Sequence, residues 1–250
     1  MDNQLQQYLL RIADSALIAG HRLSEWCGHG PILEEDIAMT NIALDYVGTA
    51  TSLYEYAASI DNKGRSADDL AYLRDARDFH NNMLVEQPNG DFAFTMLKNF
   101  FFSAFAYHLY DKLQASKDET IAGIAAKAVK ESAYHLRHTR QWVLRMGDGT
   151  EESHERLNDA LLDLWKYTHD VFEMDEVDQK LISEGIAVDN KVIYPLWVEI
   201  VKQTLEEATL QMPEKGWQQL GGYKGIHTEH LGYLLAEMQF LPRAYPGAKW

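Results

Sequence analysis

A helical stretch near the middle of the chain contains residues that could ligate iron. In the run Lys127–Met146, Glu131 and His135 lie four residues apart, with no Pro or Gly between them. A four-helix protein that binds two irons needs Glu-x-x-His on two helices and a carboxylate on each of the other two. The three-residue spacing matters because it places both side chains on one helix face, one turn apart. Here Ser132 stands three residues before His135, and a serine is a poor iron ligand.

The other three positions of such a site are equally incomplete. Glu25 is a candidate for the first carboxylate, but the partner segments Leu44–Ala50 and Lys98–Phe102 contain no Glu and His three residues apart. Iron in such proteins is bound by several anionic oxygens and imidazoles. The sequence therefore predicts a bundle without a functional two-metal site.

Two further groups of reactive side chains carry weaker signals. His227 and His230, with Glu229 between them, could share a metal on one helix face, or His227 could precede the helix so that the pair points apart. Cys27 is close in sequence to His29 but has no basic neighbour that would make it a nucleophile. We predict neither a metal centre nor a catalytic cysteine from these residues.

The elements that must position these residues are predicted to be helices, because apolar residues recur at i, i+3, i+4 and i+7 and no two-residue alternation occurs. Thr150 and Thr228 are predicted to cap helices, and Ser66 with Asp69 resembles a capping box. The predicted helices are 3–26, 34–60, 66–74, 79–85, 91–115, 116–146, 151–172, one within 173–187, 191–211 and 229–241.

Composition limits the class of protein. The chain has 250 residues, 46% of them hydrophobic, and a net charge of −15. Such an acidic chain is a poor ligand for nucleic acids or anionic membranes. It contains no apolar run of about 18 residues, its first residues lack the basic region and apolar run typical of a signal peptide, and its single cysteine cannot form an internal disulfide. We expect one all-α domain over residues 1–250 that acts in the cytoplasm.

Several stretches resemble a known family, and they extend from one end of the chain to the other. The chain is similar to the PaaC-type subunits of bacterial phenylacetyl-CoA epoxidases, also called ring 1,2-phenylacetyl-CoA oxygenases. The matching stretches are 22–31, 41–45, 84–90, 127–135, 184–189, 225–232, 235–239, 246–247 and Trp250.

The resemblance implies an all-α fold, with a ferritin-like four-helix bundle core and additional C-terminal helices. It also implies a structural subunit without a cofactor, whose PaaA-like partner carries the di-iron centre and binds phenylacetyl-CoA. Other subunits deliver electrons from NADPH, and the complex uses O2 to epoxidise the aromatic ring. The degenerate di-iron positions that the resemblance implies are Glu25, Tyr46, Thr49, Asn99, Ser132 and His135. The family-signature tail that we expect to contact the partner contains Lys224, His227, Glu229, His230 and Glu237.

Three functional hypotheses follow. The first is a non-catalytic subunit that binds and stabilises the di-iron subunit. The second is a stand-alone ferritin-like oxidase with an unusual metal site. The third is a module that binds CoA esters, with Lys215, Lys224 or Arg243 near the phosphates. An isolated chain could also form a homodimer.

Overall fold

The computed structural model describes residues 2–214 and 216–248, with the side chain of residue 2 left aside. In this part of the chain all regular structure is helical and no strand occurs. The predicted fold class is thereby confirmed: the chain is all-α, consistent with a ferritin-like helical bundle. The chain divides into two compact units, Met1–Pro88 with Gly221–Trp250, and Asn89–Leu220. The prediction that residues 1–250 form one domain stays a prediction.

The first unit is built on two long helices that pack along each other. These are α1, Asp2–Ser24, and α2, Leu33–Ser59. They approach closely at Gly20, where an added Cβ would lie 3.0 Å from Val47 Cγ2 and 3.1 Å from the Ala43 carbonyl oxygen. The described part of this unit also has four shorter α-helices. Two precede the second unit in the chain, α3, Ala67–Tyr72, and α4, Met83–Glu86, and two follow it, α10, Glu229–Met238, and α11, Phe240–Ala244. Helix α10 contacts both α1 and α4, so the C-terminal segment is part of this unit.

The second unit is arranged around one helix that is apolar on nearly all sides. This helix is α5, Phe92–Leu113, and it packs against α6, Glu119–Gly147; α7, Glu151–Trp165; and α9, Asn190–Glu207. Helix α8, Glu176–Glu184, completes the unit. A helix that is hydrophobic all round must be covered on several faces. The run Phe100–Phe105 lies in the core of this unit, because its four Phe side chains are at most 4% exposed.

The predicted caps hold in two of three cases. Ser66 and Thr150 each form a capping box at the start of α3 and α7. Helix α10 begins after Thr228 as predicted, but the Thr228 side chain makes no cap hydrogen bond. Its hydroxyl instead donates to Glu86 Oε1 at 2.8 Å.

Three predicted helix ranges are wrong by four residues or more at one end. The helix predicted over 79–85 is the four-residue α4. It begins at Met83 because Asn82 is its N-cap, and the Asn82 side-chain oxygen accepts a hydrogen bond from Val85 N–H. Helix α7 ends at Trp165 rather than 172, and α9 ends at Glu207 rather than 211. Among the described residues, no helix is long and apolar enough to cross a membrane.

Candidate functional site

The degenerate di-iron positions of the first unit hold one carboxylate and two hydroxyls. Tyr46 and Thr49 are buried on α2, at 3% and 6% exposure. Glu25 lies just after the end of α1, is exposed, and accepts a hydrogen bond from Arg22 Nη1 at 2.8 Å. In this unit, therefore, the carboxylate is already paired with a guanidinium, and its neighbours in the pattern are neutral.

The positions in the second unit are buried and also mostly neutral. Asn99, Ser132 and His135 are 5%, 2% and 1% exposed. The Asn99 amide donates to the Thr95 carbonyl oxygen at 2.9 Å, one turn earlier on α5. Glu131, the carboxylate nearest in sequence to His135, forms a 3.5 Å ion pair with Lys127. Of these three residues, only His135 is of a type that commonly ligates iron.

The donor set does not fit a di-iron centre. Four of the six positions carry a phenol, hydroxyls or an amide, whereas such a centre requires four carboxylates and two imidazoles. Throughout residues 2–214 and 216–248, no group of three or more His, Cys, Asp or Glu side chains is arranged to hold a metal ion. We therefore assign no metal-dependent step to these residues. The prediction that the chain binds no metal stays a prediction.

Part of the family-signature tail lies instead in a buried polar cluster, which we call the Glu86 cluster. It consists of Glu86 with Arg22, Asn81, His227 and Thr228. Glu86 is the last residue of α4 and is fully buried. The Glu86 carboxylate receives the Thr228 backbone N–H at 2.6 Å, the Thr228 hydroxyl at 2.8 Å and the Asn81 amide at 2.9 Å.

His227 completes this cluster and is held at both ring nitrogens. Its Nδ1 lies 2.8 Å from Glu86 Oε2, and its Nε2 lies 2.9 Å from the Phe79 carbonyl oxygen. Both neighbours are acceptors, so both nitrogens donate only when the ring is protonated. Burial lowers the pKa of His227, but the hydrogen bond and charge of Glu86, the Phe79 carbonyl and the Asp14 charge outweigh it and raise the pKa above its ordinary value. His227 is therefore a structural cation, and it has no ring nitrogen left for a metal shared with His230.

Arg22 connects this cluster to α1 and to the first turn of α10. Its Nε donates to the Glu86 carbonyl oxygen at 3.1 Å, and its Nη2 donates to the His230 carbonyl oxygen at 2.8 Å. Arg22 is 8% exposed. One guanidinium therefore fastens the C-terminal segment to the helix on which the first unit is built.

A second buried cluster lies in the same unit. Asp14 is fully buried and accepts hydrogen bonds from the Arg74 guanidinium, from the Tyr54 hydroxyl at 2.5 Å and from the His80 backbone N–H at 2.7 Å. Burial disfavours the charged guanidinium, but the attraction of Asp14 outweighs it, so the pKa of Arg74 is raised. Burial, followed by the Asp14 charge, raises the pKa of Tyr54 well above its ordinary value. These groups stabilise one another through their hydrogen bonds and opposite charges.

The remaining residues of the predicted tail surface differ in accessibility. Lys224, Glu229 and Glu237 are exposed, and His230 is half-buried. Lys215 and Trp250 lie outside the described residues. Arg243 donates to the Arg74 carbonyl oxygen at 3.0 Å and to Asp75 Oδ1 at 3.0 Å. Of the tail residues singled out from the sequence, Lys224, Glu229, Glu237 and Arg243 are exposed to a partner.

The chain is similar to known proteins over its whole length. A family profile described as "Phenylacetic acid catabolic protein" matches residues 1–250. The chain belongs to this phenylacetic acid catabolic protein family. One relative, named as a subunit of the 1,2-phenylacetyl-CoA epoxidase of Escherichia coli (strain K12), is 46% identical over 248 residues, which is 99% of this chain and 100% of the relative. The resemblance predicted from the sequence is confirmed.

Sequence reasoning missed the central residue of the Glu86 cluster. Glu86 lies in the matching stretch 84–90, where the local pattern predicts only a turn. Its partners His227 and Thr228 are 141 and 142 positions away. The one available signal was that the stretches 84–90 and 225–232 both resemble the family, and the structure shows that they meet.

Proposed function

We propose that this chain is the non-catalytic structural subunit of a multicomponent phenylacetyl-CoA 1,2-epoxidase. In this proposal it binds and stabilises the PaaA-like di-iron subunit and acts in the cytoplasm during aerobic phenylacetate catabolism. Family membership over residues 1–250 supports the assignment to this catabolic system. The relative named as an epoxidase subunit, which aligns over nearly the whole chain, supports the place of this chain in such a complex.

The observation that carries the non-catalytic role is the set of neutral side chains at the degenerate di-iron positions. Tyr46, Thr49, Asn99 and Ser132 are all at most 6% exposed. The helices of the bundle are present, but the buried residues at these positions are poor ligands for iron. A chain with these side chains supplies shape and surface to a complex rather than redox chemistry.

Stabilisation of the partner follows from mass action. A protein that binds only the folded form of another raises the free energy of unfolding of that form. We propose that the well-anchored first unit provides a rigid surface for this purpose, because the Glu86 cluster and the Asp14 cluster fix its short helices to α1. The exposed tail residues Lys224, Glu229 and Glu237 are proposed as part of the contact.

Reconstitution from purified subunits tests this function. The melting temperature of the di-iron subunit is measured alone and with one equivalent of this chain. Epoxidation of phenylacetyl-CoA is then assayed with all subunits present and again with the di-iron subunit omitted. We expect the melting temperature of the di-iron subunit to rise in the mixture, and turnover to require the di-iron subunit. Turnover by this chain without the di-iron subunit would overturn the non-catalytic role and favour a stand-alone oxidase. Absence of any complex would overturn the structural role.

One observation favours a second candidate function, the binding of CoA esters. Arg77 and Lys224 line a surface cavity of about 560 Å³ in the first unit, together with Gly225, Ile226 and Thr228. This volume lies in the range of small-molecule sites, and two cations suit phosphate groups. Glu229 also lines the cavity and opposes anion binding. Titration of the chain with phenylacetyl-CoA, compared between wild type and Lys224→Ala, separates this function from the structural one.

A further inference from the structure

Helix α2 has a continuous solvent-facing side that is unusually apolar. Successive positions on this side are three or four residues apart, which places them along one line of an α-helix. We call this side the α2 outer face, and its residues are Leu33, Ile37, Asn41, Leu44, Gly48, Thr51 and Glu55. At about 1.5 Å per residue, the line is about 33 Å long, enough for a full helix–helix contact.

The apolar members of this face are well exposed. Leu33, Ile37 and Leu44 are 72%, 52% and 63% exposed, and Ile32, just before the helix, is 52% exposed. The opposite side of α2 is already buried, through residues that include Met39, Ile42 and Leu53. A surface helix normally has one apolar stripe, so a second stripe in solvent indicates an interaction site.

The polar members of this face are compatible with close contact. Gly48 has no side chain, which lets another backbone approach. The Thr51 hydroxyl donates to the Val47 carbonyl oxygen at 2.9 Å, within the same helix. Covering Thr51 therefore leaves no hydroxyl donor without an acceptor, and the desolvation cost of burial is small.

Charge selects the kind of partner. Helix α2 has five carboxylates, Glu34, Glu35, Asp36, Asp45 and Glu55, and no Lys, Arg or His. The first three are in the first turn, where the helix dipole favours them, and Asp36 accepts from Gly30 N at 3.0 Å. Asp45 and Glu55 lie farther along the helix, beyond the reach of the dipole at its first turn. A second copy of this chain would bring carboxylates against carboxylates, whereas a partner with Lys and Arg beside an apolar stripe would be attracted.

We propose that the α2 outer face is the surface that binds the di-iron subunit, through a helix of that subunit whose apolar stripe is flanked by Lys and Arg. This inference rests on the proposed function, because it names where the structural subunit meets its partner. Leu33, Ile37 and Leu44 are the central contacts. Asp45 and Glu55 steer the partner and fix the register.

The test is the affinity of the purified chain for the purified di-iron subunit, measured by calorimetry at low and high salt. The variant Leu33→Ser/Ile37→Ser/Leu44→Ser removes the stripe without touching the core. The control Leu73→Ser/Leu162→Ser/Val192→Ser removes three apolar side chains that are 47%, 60% and 52% exposed elsewhere. We expect the α2 variant to bind about 100-fold more weakly and the control to bind as wild type, since a few residues near the centre of an interface usually carry most of its binding energy.

A second variant tests the charge argument and does not rely on removing apolar groups. Asp45→Lys/Glu55→Lys should weaken binding at low salt and lose much of that defect at high salt, where exposed charges are screened. Circular dichroism and melting curves of each variant alone confirm that the monomer is folded.

The outcomes separate this inference from the function beneath it. If wild type does not bind the di-iron subunit, the proposed function fails. If wild type binds and the α2 variant binds equally well, or the control loses as much affinity, only the inference about the α2 outer face fails. Formation of a homodimer that the α2 variant abolishes would also overturn it, because the face would then bind a second copy.

Discussion

The imidazole Nδ1 of His227 lies 2.8 Å from the carboxylate Oε2 of Glu86, although the two residues are 141 positions apart. This contact joins the short helix α4 to the segment that precedes α10. It belongs to the first unit, in which α1 and α2 supply the long helices. The family-signature tail therefore has an internal structural role in addition to any contact with a partner.

The first prediction concerns the pH dependence of stability. The folded-state pKa of His227 is raised above its ordinary value of 6.5. A raised pKa means that the stabilisation is fully present below pH 6.5 and is lost as pH rises through the folded pKa. We expect the stability advantage of wild type over His227→Gln, measured by urea unfolding, to shrink as pH rises through that pKa. An advantage that grows with rising pH would contradict the charged state of His227.

The second prediction concerns the charge of Glu86. Glu86→Gln leaves the His227 imidazolium in a buried site without its counter-ion, which should cost about 3 kcal/mol of unfolding free energy. The control Glu237→Gln changes an exposed carboxylate on α10 and should shift stability by no more than about 0.5 kcal/mol. Denaturant unfolding at pH 6 measures both. Equal, small effects would show that the Glu86 cluster contributes little.

The third prediction concerns the buried pair of Asp14 and Arg74. Asp14→Asn removes the charge opposite a guanidinium that is 6% exposed, and we expect a loss of about 3–5 kcal/mol. The matched control is Asp75→Asn, which breaks the ion pair with Arg243. In that pair the side chain of Asp75 is 83% exposed and that of Arg243 is 43% exposed. Such a surface pair contributes at most about 1 kcal/mol. Thermal melts of both variants should therefore separate clearly, and coincident melts would contradict the assigned burial.

The fourth prediction concerns Gly225, two residues before His227 of the Glu86 cluster. It has φ +74°, and an added Cβ would lie 2.3 Å from the Arg77 carbonyl oxygen. Gly225→Ala should therefore displace the tail and expose it to limited proteolysis. Gly232 lies within α10 with nothing near its Cβ position, so Gly232→Ala should be neutral or stabilising. Equal proteolytic resistance of the two variants would rule out the close approach at Gly225.

Local signals in the sequence predict most helices but not every end. The pattern predicts that α9 continues to 211, because no Gly or Pro lies between Glu207 and residue 211. The helix ends at Glu207 because Thr209 adopts φ 60°, a conformation usually taken by Gly. The Thr209 hydroxyl donates to the Gly147 carbonyl oxygen at 3.1 Å, a contact with α6 that local sequence does not reveal.

Helix α7 shows the same limit. The pattern predicts that it continues to 172, but it ends at Trp165, where the Thr168 hydroxyl donates to the Trp165 carbonyl oxygen at 2.8 Å. Gln219 N donates to the Lys166 carbonyl oxygen at 2.8 Å, from more than 50 positions away along the chain. The contact of Gln219 with Lys166, like the pairing of Glu86 with His227, depends on the folded chain as a whole.

The site residues divide in a similar way. That the candidate positions on α2, α5 and α6 lack Glu-x-x-His could be predicted from the sequence, because it depends on residue type and spacing alone. That His227 is a structural cation could not, since it depends on two acceptors brought to its ring by folding. The alternative in which His227 and His230 share a metal has no support in the geometry.

Metal content tests the central claim most directly. The chain is expressed in iron-replete medium, purified alone and together with the di-iron subunit, and its iron is measured by mass spectrometry. The account predicts well below one iron per chain alone, and about two irons per di-iron subunit in the complex. Two irons in the isolated chain, with the absorption band of an oxidised di-iron centre, would contradict it and would identify Glu25, Glu131 and His135 as the first ligands to examine.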